Sequence, residues 1–165
     1  MSGPPDPGQV LRWPAGYSPE CSDVWARSAM VIDATPAVVF WHLAAVSRWE
    51  STFSGIRVAR VPDAGSGCLE PDSVFGYEID SLCLSAQVTE FAVGRRLAWS
   101  GQGIDITAYH AWVISAGLRR TTVLAGFAAR GAAAIALREP DPGAVQRTLD
   151  RWAADLKTAA ENPRP

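Results

Sequence analysis

Ala26–Ala45, ARSAMVIDATPAVVFWHLAA, reads as a strand that runs straight into a helix, and the rest of the chain orders itself around that corner. Ala26–Asp33 has strand character. Thr35 brings a side-chain oxygen for an N-cap, and Pro36 brings a pre-set φ at the first helical position, where its missing N–H costs nothing. The helix is predicted over Ala37–Ala45. Ser47-Arg48-Trp49-Glu50 then fits a capping box for a second, short helix that ends near Phe53 and is closed by Ser54-Gly55.

Beyond the corner, strand-like segments follow at Ile56–Val61, Ser73–Ile79, Leu82–Phe91, Arg96–Gln102, Ile104–Ser115 and Arg119–Ala129. Breakers stand between them: Pro62-Asp63-Ala64-Gly65, Asp80-Ser81, Val93-Gly94, Gly101-Gln102-Gly103 and Ala116-Gly117. Links this short join antiparallel neighbours. Gly131–Glu139 is alanine-rich and reads as helical. Asp141-Pro142 repeats the cap-plus-proline start and opens a helix to about Glu161, roughly 30 Å long. Val145, Leu149, Trp152 and Leu156 form one apolar stripe along it. Such a helix needs a sheet face to cover. The expected fold is therefore α+β: a curved antiparallel sheet of about seven strands around a long C-terminal helix, with two short helices after the first strand.

The chain has 165 residues, 48% hydrophobic and 19% charged, enough for one core. No apolar run is long enough for a membrane span. A net charge of −2 gives no electrostatic footprint for nucleic acid. Cys21, Cys68 and Cys83 are an odd, scattered set, which with the lack of a signal-peptide pattern points to a reducing cytoplasm. No metal signature and no cofactor motif is present: a P-loop, a Rossmann fingerprint and a GxSxG elbow are all missing. Residues 1–24, with five prolines, read as an irregular arm, residues 25–161 as one domain and residues 162–165 as a tail. Trp13 and Tyr17 give the arm a means of packing on the body.

Four stretches resemble the SRPBCC superfamily, the START/Bet v 1-like helix-grip fold, and within it the bacterial polyketide cyclase/dehydrase-like branch. They are Ile32-Asp33-Ala34-Thr35-Pro36 with Val39-Phe40 and Leu43; Ser47-Arg48-Trp49; Val88-Thr89-Glu90-Phe91 through Arg95-Arg96-Leu97-Ala98-Trp99; and His110-Ala111-Trp112 with Thr121-Thr122-Val123. With Trp152-Ala153-Ala154-Asp155-Leu156-Lys157 they span residues 26–161. The chain departs from the pattern where the family commonly has a glutamate after the last strand's Thr-x-Val, since Gly126-Phe127 stands there. The resemblance implies a deep cavity between sheet and C-terminal helix, a hydrophobic small-molecule ligand, and in some members cyclase or aromatase activity.

Strand alternation puts the more apolar set of each strand inside. Ile104, Ile106, Ala108, His110, Trp112 and Ile114 form one such set, and Phe75, Tyr77 and Ile79 another. His110 is the sharpest candidate, as a general base or a ligand-orienting group, with Tyr77 as the second proton-transfer or hydrogen-bonding group, able to donate to a ligand; a core histidine bonded to a neighbouring strand or to Tyr77 is the bland alternative. Trp41, Trp49, Phe53, Phe75, Trp99, Ile106, Trp112, Phe127 and Trp152 are the candidate ligand-binding walls. Glu78 and Asp80 read as solvated charges on the outer face, and Arg95-Arg96 as a charged hairpin turn. The expected function is binding of a hydrophobic or aromatic small molecule, as a polyketide cyclase/dehydrase-like enzyme, as a non-catalytic lipid, quinone or metabolite carrier, or, more weakly, as a protein-interaction module.

Overall fold

A computed structural model describes residues 10–62 and 65–162. The first nine residues of the predicted arm, Asp63 and Ala64 of the predicted turn, and residues 163–165 of the predicted tail lie outside them. Seven strands, β1 (Val24–Ile32), β2 (Ile56–Arg60), β3 (Val74–Ile79), β4 (Leu82–Ala92), β5 (Arg96–Gly103), β6 (Ile106–Ala116) and β7 (Thr121–Arg130), make one antiparallel sheet. Its order is β1-β7-β6-β5-β4-β3-β2. The last six strands form a meander, and β1 joins its far end beside β7. Helices α1 (Pro36–Ala44) and α2 (Trp49–Thr52) carry the chain from one edge to the other. Helices α3 (Ala132–Arg138) and α4 (Ala144–Glu161) close the chain, and the whole is the helix-grip fold. Among the described residues no helix is long and apolar enough to cross a membrane.

The corner at Thr35-Pro36 is built as the sequence dictates. Thr35 Oγ1 accepts from the Val38 N–H at 3.4 Å, with Pro36 at the first position. Thr121 Oγ1, fully buried, donates to the Ala34 carbonyl at 2.6 Å and ties β7 to the same corner. The C-terminal end of α4 is pinned there too: Lys157 Nζ donates to the Val31 carbonyl, and the Asp33 N–H donates to Glu161 Oε1 at 2.8 Å.

The capping box at Ser47 does not form. Val46–Arg48 is a 3-10 turn with no side-chain cap, and Glu50 instead accepts from the Val58 N–H at 2.7 Å, fastening the short helix to β2. The start of α4 also shifts: Asp141 Oδ1 accepts from the Gly143 N–H, and the helix begins at Ala144. Ile104 is a further correction. It sits in the β5–β6 turn, opposite no strand residue, and is 90% exposed.

A β-bulge at Thr89 decides which side chains face the core. The register passes from Val88↔Trp99 to Glu90↔Ala98, leaving Thr89 extra. The side-chain alternation slips by one there. Phe91 therefore turns inward onto Phe40 (ring centroids 5.2 Å apart), and Glu90 turns outward to pair with Arg96 at 2.9 Å.

Both faces of β6 are covered. Ile106, Ala108, Trp112 and Ile114 enter the main core, and Tyr109, Ala111 and Val113 enter a second cluster on the opposite face with Leu11, Trp13 and Tyr17. The arm is therefore a strap on the sheet's outer face, held by Arg96 Nη1 to the Val10 carbonyl and Arg130 Nη1 to the Gly16 carbonyl. It fits because residue 126 is glycine: a Cβ there would stand 2.8 Å from Leu11 Cδ1 and 2.8 Å from Trp13 Cη2. Gly126→Val is expected to lift the strap. Limited chymotrypsin digestion should then cut after Tyr17 about tenfold faster, roughly the loss of 1.4 kcal/mol of local closure. Unaltered cleavage would show that the strap does not rest on Gly126.

Candidate functional site

Under α4 the sheet's inner face carries a dense aromatic cluster. Trp49, fully buried on α2, has the rings of Phe75, Trp99 and Trp152 at 5.6, 5.5 and 5.5 Å. Phe53 and Tyr77 complete its surroundings at 6.0 and 5.8 Å. Most of these pairs are edge-to-face, the arrangement favoured by the ring quadrupole. The Trp49 indole N–H donates to the Leu43 carbonyl at 3.0 Å, and that of Trp99 to Tyr77 Oη at 3.2 Å.

These rings fill the space where the family resemblance implies a deep cavity. What remains is a cavity of about 90 Å³ toward the β3–β4 turn. That is small beside the roughly 300–1,000 Å³ of drug-sized ligand pockets. Its inner wall includes Tyr77, Ile79, His110, Phe127, Leu149 and Trp152, and its rim Asp80, Leu82, Leu137, Ala144 and Thr148, with Val145 between.

Of the sequence candidates, His110, Tyr77, Phe127 and Trp152 thus meet at one cavity. Trp49, Phe53, Phe75, Trp99, Ile106 and Trp112 are core side chains packed behind or beside it. Trp41 is elsewhere altogether. The buried face of α1 is Val39, Phe40, Leu43 and Ala44, so position 41 is rotated outward; its ring is 43% exposed and lies under the Arg48 guanidinium at 5.3 Å. It is a surface cation–π pair and no cavity wall.

Asp80 also differs from the solvated charge expected. Asp80 and Ser81 form a two-residue turn with φ of 46° and 68°, a geometry whose twist suits a hairpin. The Asp80 carboxylate accepts from the Thr148 hydroxyl and from Arg151 Nη2, the latter at 3.2 Å, so the turn is latched to α4 beside the cavity mouth. Sequence reasoning missed Leu137, Ala144 and Thr148, because nothing in periodicity says which helix residues border an unfilled space. Val145 and Leu149 were legible on the apolar stripe.

His110 is 1% exposed, and neither ring nitrogen has a hydrogen-bond partner among the described residues. Tyr77, its partner in the core-histidine alternative, is engaged by Trp99 instead. Rings crowd the imidazole: Trp152 at 4.6 Å, Trp99 at 4.8 Å, Trp112 at 5.2 Å and Phe127 at 5.9 Å. With no charge or donor to support an imidazolium, burial pushes its pKa down to about 3. Burial likewise pushes the Tyr77 phenol up to about 12. Both groups are neutral at pH 7. Among the described residues no cluster of His, Cys, Asp and Glu is arranged to hold a metal ion.

Because folding lowers the His110 pKa from 6.5, the unfolded chain binds the extra proton between pH 6.5 and about 3. Stability from this group is complete above pH 6.5 and drains away as pH falls through that window, by up to about 5 kcal/mol. His110→Phe is expected to flatten that part of the acid limb. Urea unfolding of both proteins at pH 7 and pH 4.5 measures it; equal losses on acidification would put the acid sensitivity elsewhere.

No family model matches the chain, and no curated protein matches it. Solved structures do. A hypothetical protein, jhp0584, from Helicobacter pylori is similar over 97% of this chain and 99% of its own, with a TM-score of 0.83 and 22% identity. The Aha1 dimer of Colwellia psychrerythraea is similar over 86% of this chain and 99% of its own, with a TM-score of 0.60 and 12% identity. StfQ, a di-domain ARO/CYC protein of the steffimycin biosynthetic pathway, is similar over 82% of this chain and 44% of its own, with a TM-score of 0.60 and 15% identity. At these identities the likeness establishes the fold, which this chain shares with proteins of quite different description.

Proposed function

We propose that the protein binds a small, largely apolar molecule in the cavity between the sheet and α4. The observation that carries this reading is an apolar cavity with a mouth at the β3–β4 turn and, on its wall, a buried histidine that the protein leaves unbonded. Fully packed cores seldom keep both features together. The resemblance of four sequence stretches to the SRPBCC superfamily supports the same reading. Three cysteines without disulfides, two of them exposed, fit a reducing cytoplasm.

A catalytic role of the polyketide cyclase/dehydrase-like kind is the second reading. It is favoured by the fold likeness to StfQ and by two titratable groups, His110 and Tyr77, on one cavity wall. Against it stands the proton affinity of His110. An imidazole held near pKa 3 and oriented by no carboxylate is a weak general base at pH 7. Binding therefore comes before turnover in our reading. Any catalysis would rest on holding the substrate's shape and excluding water.

Titration with small apolar compounds, followed by tryptophan fluorescence, is expected to give saturable quenching, since Trp152 lines the cavity. Val145→Phe, which fills the space from α4, should weaken binding at least tenfold and leave the fold intact by circular dichroism. If no compound perturbs the fluorescence, or the plugged variant binds as well as the parent, the cavity is not a binding site. Should a substrate be found, His110→Ala that binds but does not turn over supports the catalytic reading, and unchanged turnover ends it.

A further inference from the structure

Five buried side-chain nitrogens among the described residues lack a partner, and four of them belong to three neighbouring rings: Nδ1 and Nε2 of His110, Nε1 of Trp112 and Nε1 of Trp152. The ring centroids are 5.2 Å apart for His110–Trp112, 5.8 Å for Trp112–Trp152 and 4.6 Å for His110–Trp152. His110 and Trp152 border the cavity. The fifth, Arg96 Nη2, belongs to the side chain that pairs with the outward-turned Glu90. Native proteins satisfy nearly all buried polar atoms, so the orphans of His110 and Trp152 on one cavity wall call for a ligand rather than for chance. The edge-to-face rings around them offer only weak N–H···π contacts.

We propose, building on the binding reading above, that the ligand carries a carbonyl oxygen and that His110 and Trp152 form the donor set that meets it, with the unpartnered Trp112 packed behind them. The argument is an inventory of protons. An indole nitrogen donates and cannot accept; a neutral imidazole donates once and accepts once. His110 and Trp152 therefore present two donors against one acceptor to the cavity. A hydrocarbon leaves every donor unmet. An amine brings more donors. A carboxylate would be a buried anion with no facing cation, because Arg96 is committed to Glu90 and Arg151 to Asp80. A ketone, aldehyde or quinone supplies an acceptor without charge.

The cavity's size narrows the class further. At about 90 Å³ it is smaller than the roughly 150 Å³ engineered cavity that holds benzene. It takes a small carbonyl compound whole, or the carbonyl-bearing end of a longer molecule whose remainder leaves past Leu82 and Leu137 at the rim.

The test compares cyclopentanone with methylenecyclopentane, which share a ring and differ in C=O against C=CH2. Binding is followed on the indole ¹H–¹⁵N resonances, assigned with Trp112→Phe and Trp152→Phe. A merely apolar cavity favours the alkene by about tenfold or more, because the ketone gives up its hydrogen bond to water. The donor set reverses this: cyclopentanone is expected to bind about tenfold tighter, with a downfield shift of the Trp152 indole proton, and Trp152→Phe should reduce the preference. Tighter binding of the alkene without an indole shift overturns the carbonyl inference and leaves the binding reading standing. Ketone binding that leaves the Trp152 indole unmoved overturns the donor set. If neither compound binds up to its solubility, the inference and the binding reading fall together.

Discussion

The packing of Trp152 against the sheet is the contact on which the rest of the structure depends. From the middle of α4 its ring reaches those of Trp49, Phe53, Tyr77, Trp99, His110 and Trp112, every centroid within 6.2 Å. One side chain thus joins α2, β3, β5, β6 and the long helix. The polar ties of α4, Asp155 to Ser54, Gln146 to the Arg27 backbone, Lys157 to Val31 and Glu161 to Asp33, involve exposed atoms that fix register and direction more than they add stability. Burial of Leu149, Trp152, Ala153, Leu156 and Ala160 holds it down.

The same cluster sets the chemistry of the candidate site. Rings that fill the interior leave a small cavity at one end of α4 and remove water from around His110. β6 is central and covered on both faces, so no solvent reaches the imidazole from behind either; the strap of Leu11, Trp13 and Tyr17 closes that side. A titratable group on a strand dry on two faces has no medium in which to carry charge. Packing, and no neighbouring charge, accounts for its neutrality.

Much of this was legible in the order of residues. The Thr35-Pro36 corner, the six-strand run with its turns and the apolar stripe of α4 are local patterns of period 2 and 3.6, and the structure keeps them. So is the inward placement of His110, Tyr77, Trp99 and Trp112, which follows from strand alternation alone. The failures are equally specific. Trp41 counts among the walls by residue type, as a flat ring able to stack on a ligand, yet the helix phase turns it outward. Ile104 was read into a strand that begins two residues later. Thr89 gives no sign in sequence that it will bulge and swap the faces of Glu90 and Phe91.

By itself, then, the sequence determined the elements, their antiparallel order and the side chains that face inward, because these depend on neighbours a few positions apart. Only the tertiary structure decided how tightly those side chains fill the interior, where space is left over, and which polar atoms find partners. Cavity volume and hydrogen-bond satisfaction are differences between large, nearly equal packing quantities contributed by distant segments. Trp99 and Tyr77 find each other across two strands, whereas His110, Trp112 and Trp152 meet with nothing to accept from them. No local pattern encodes that outcome, since it is settled only when the helix closes on the sheet.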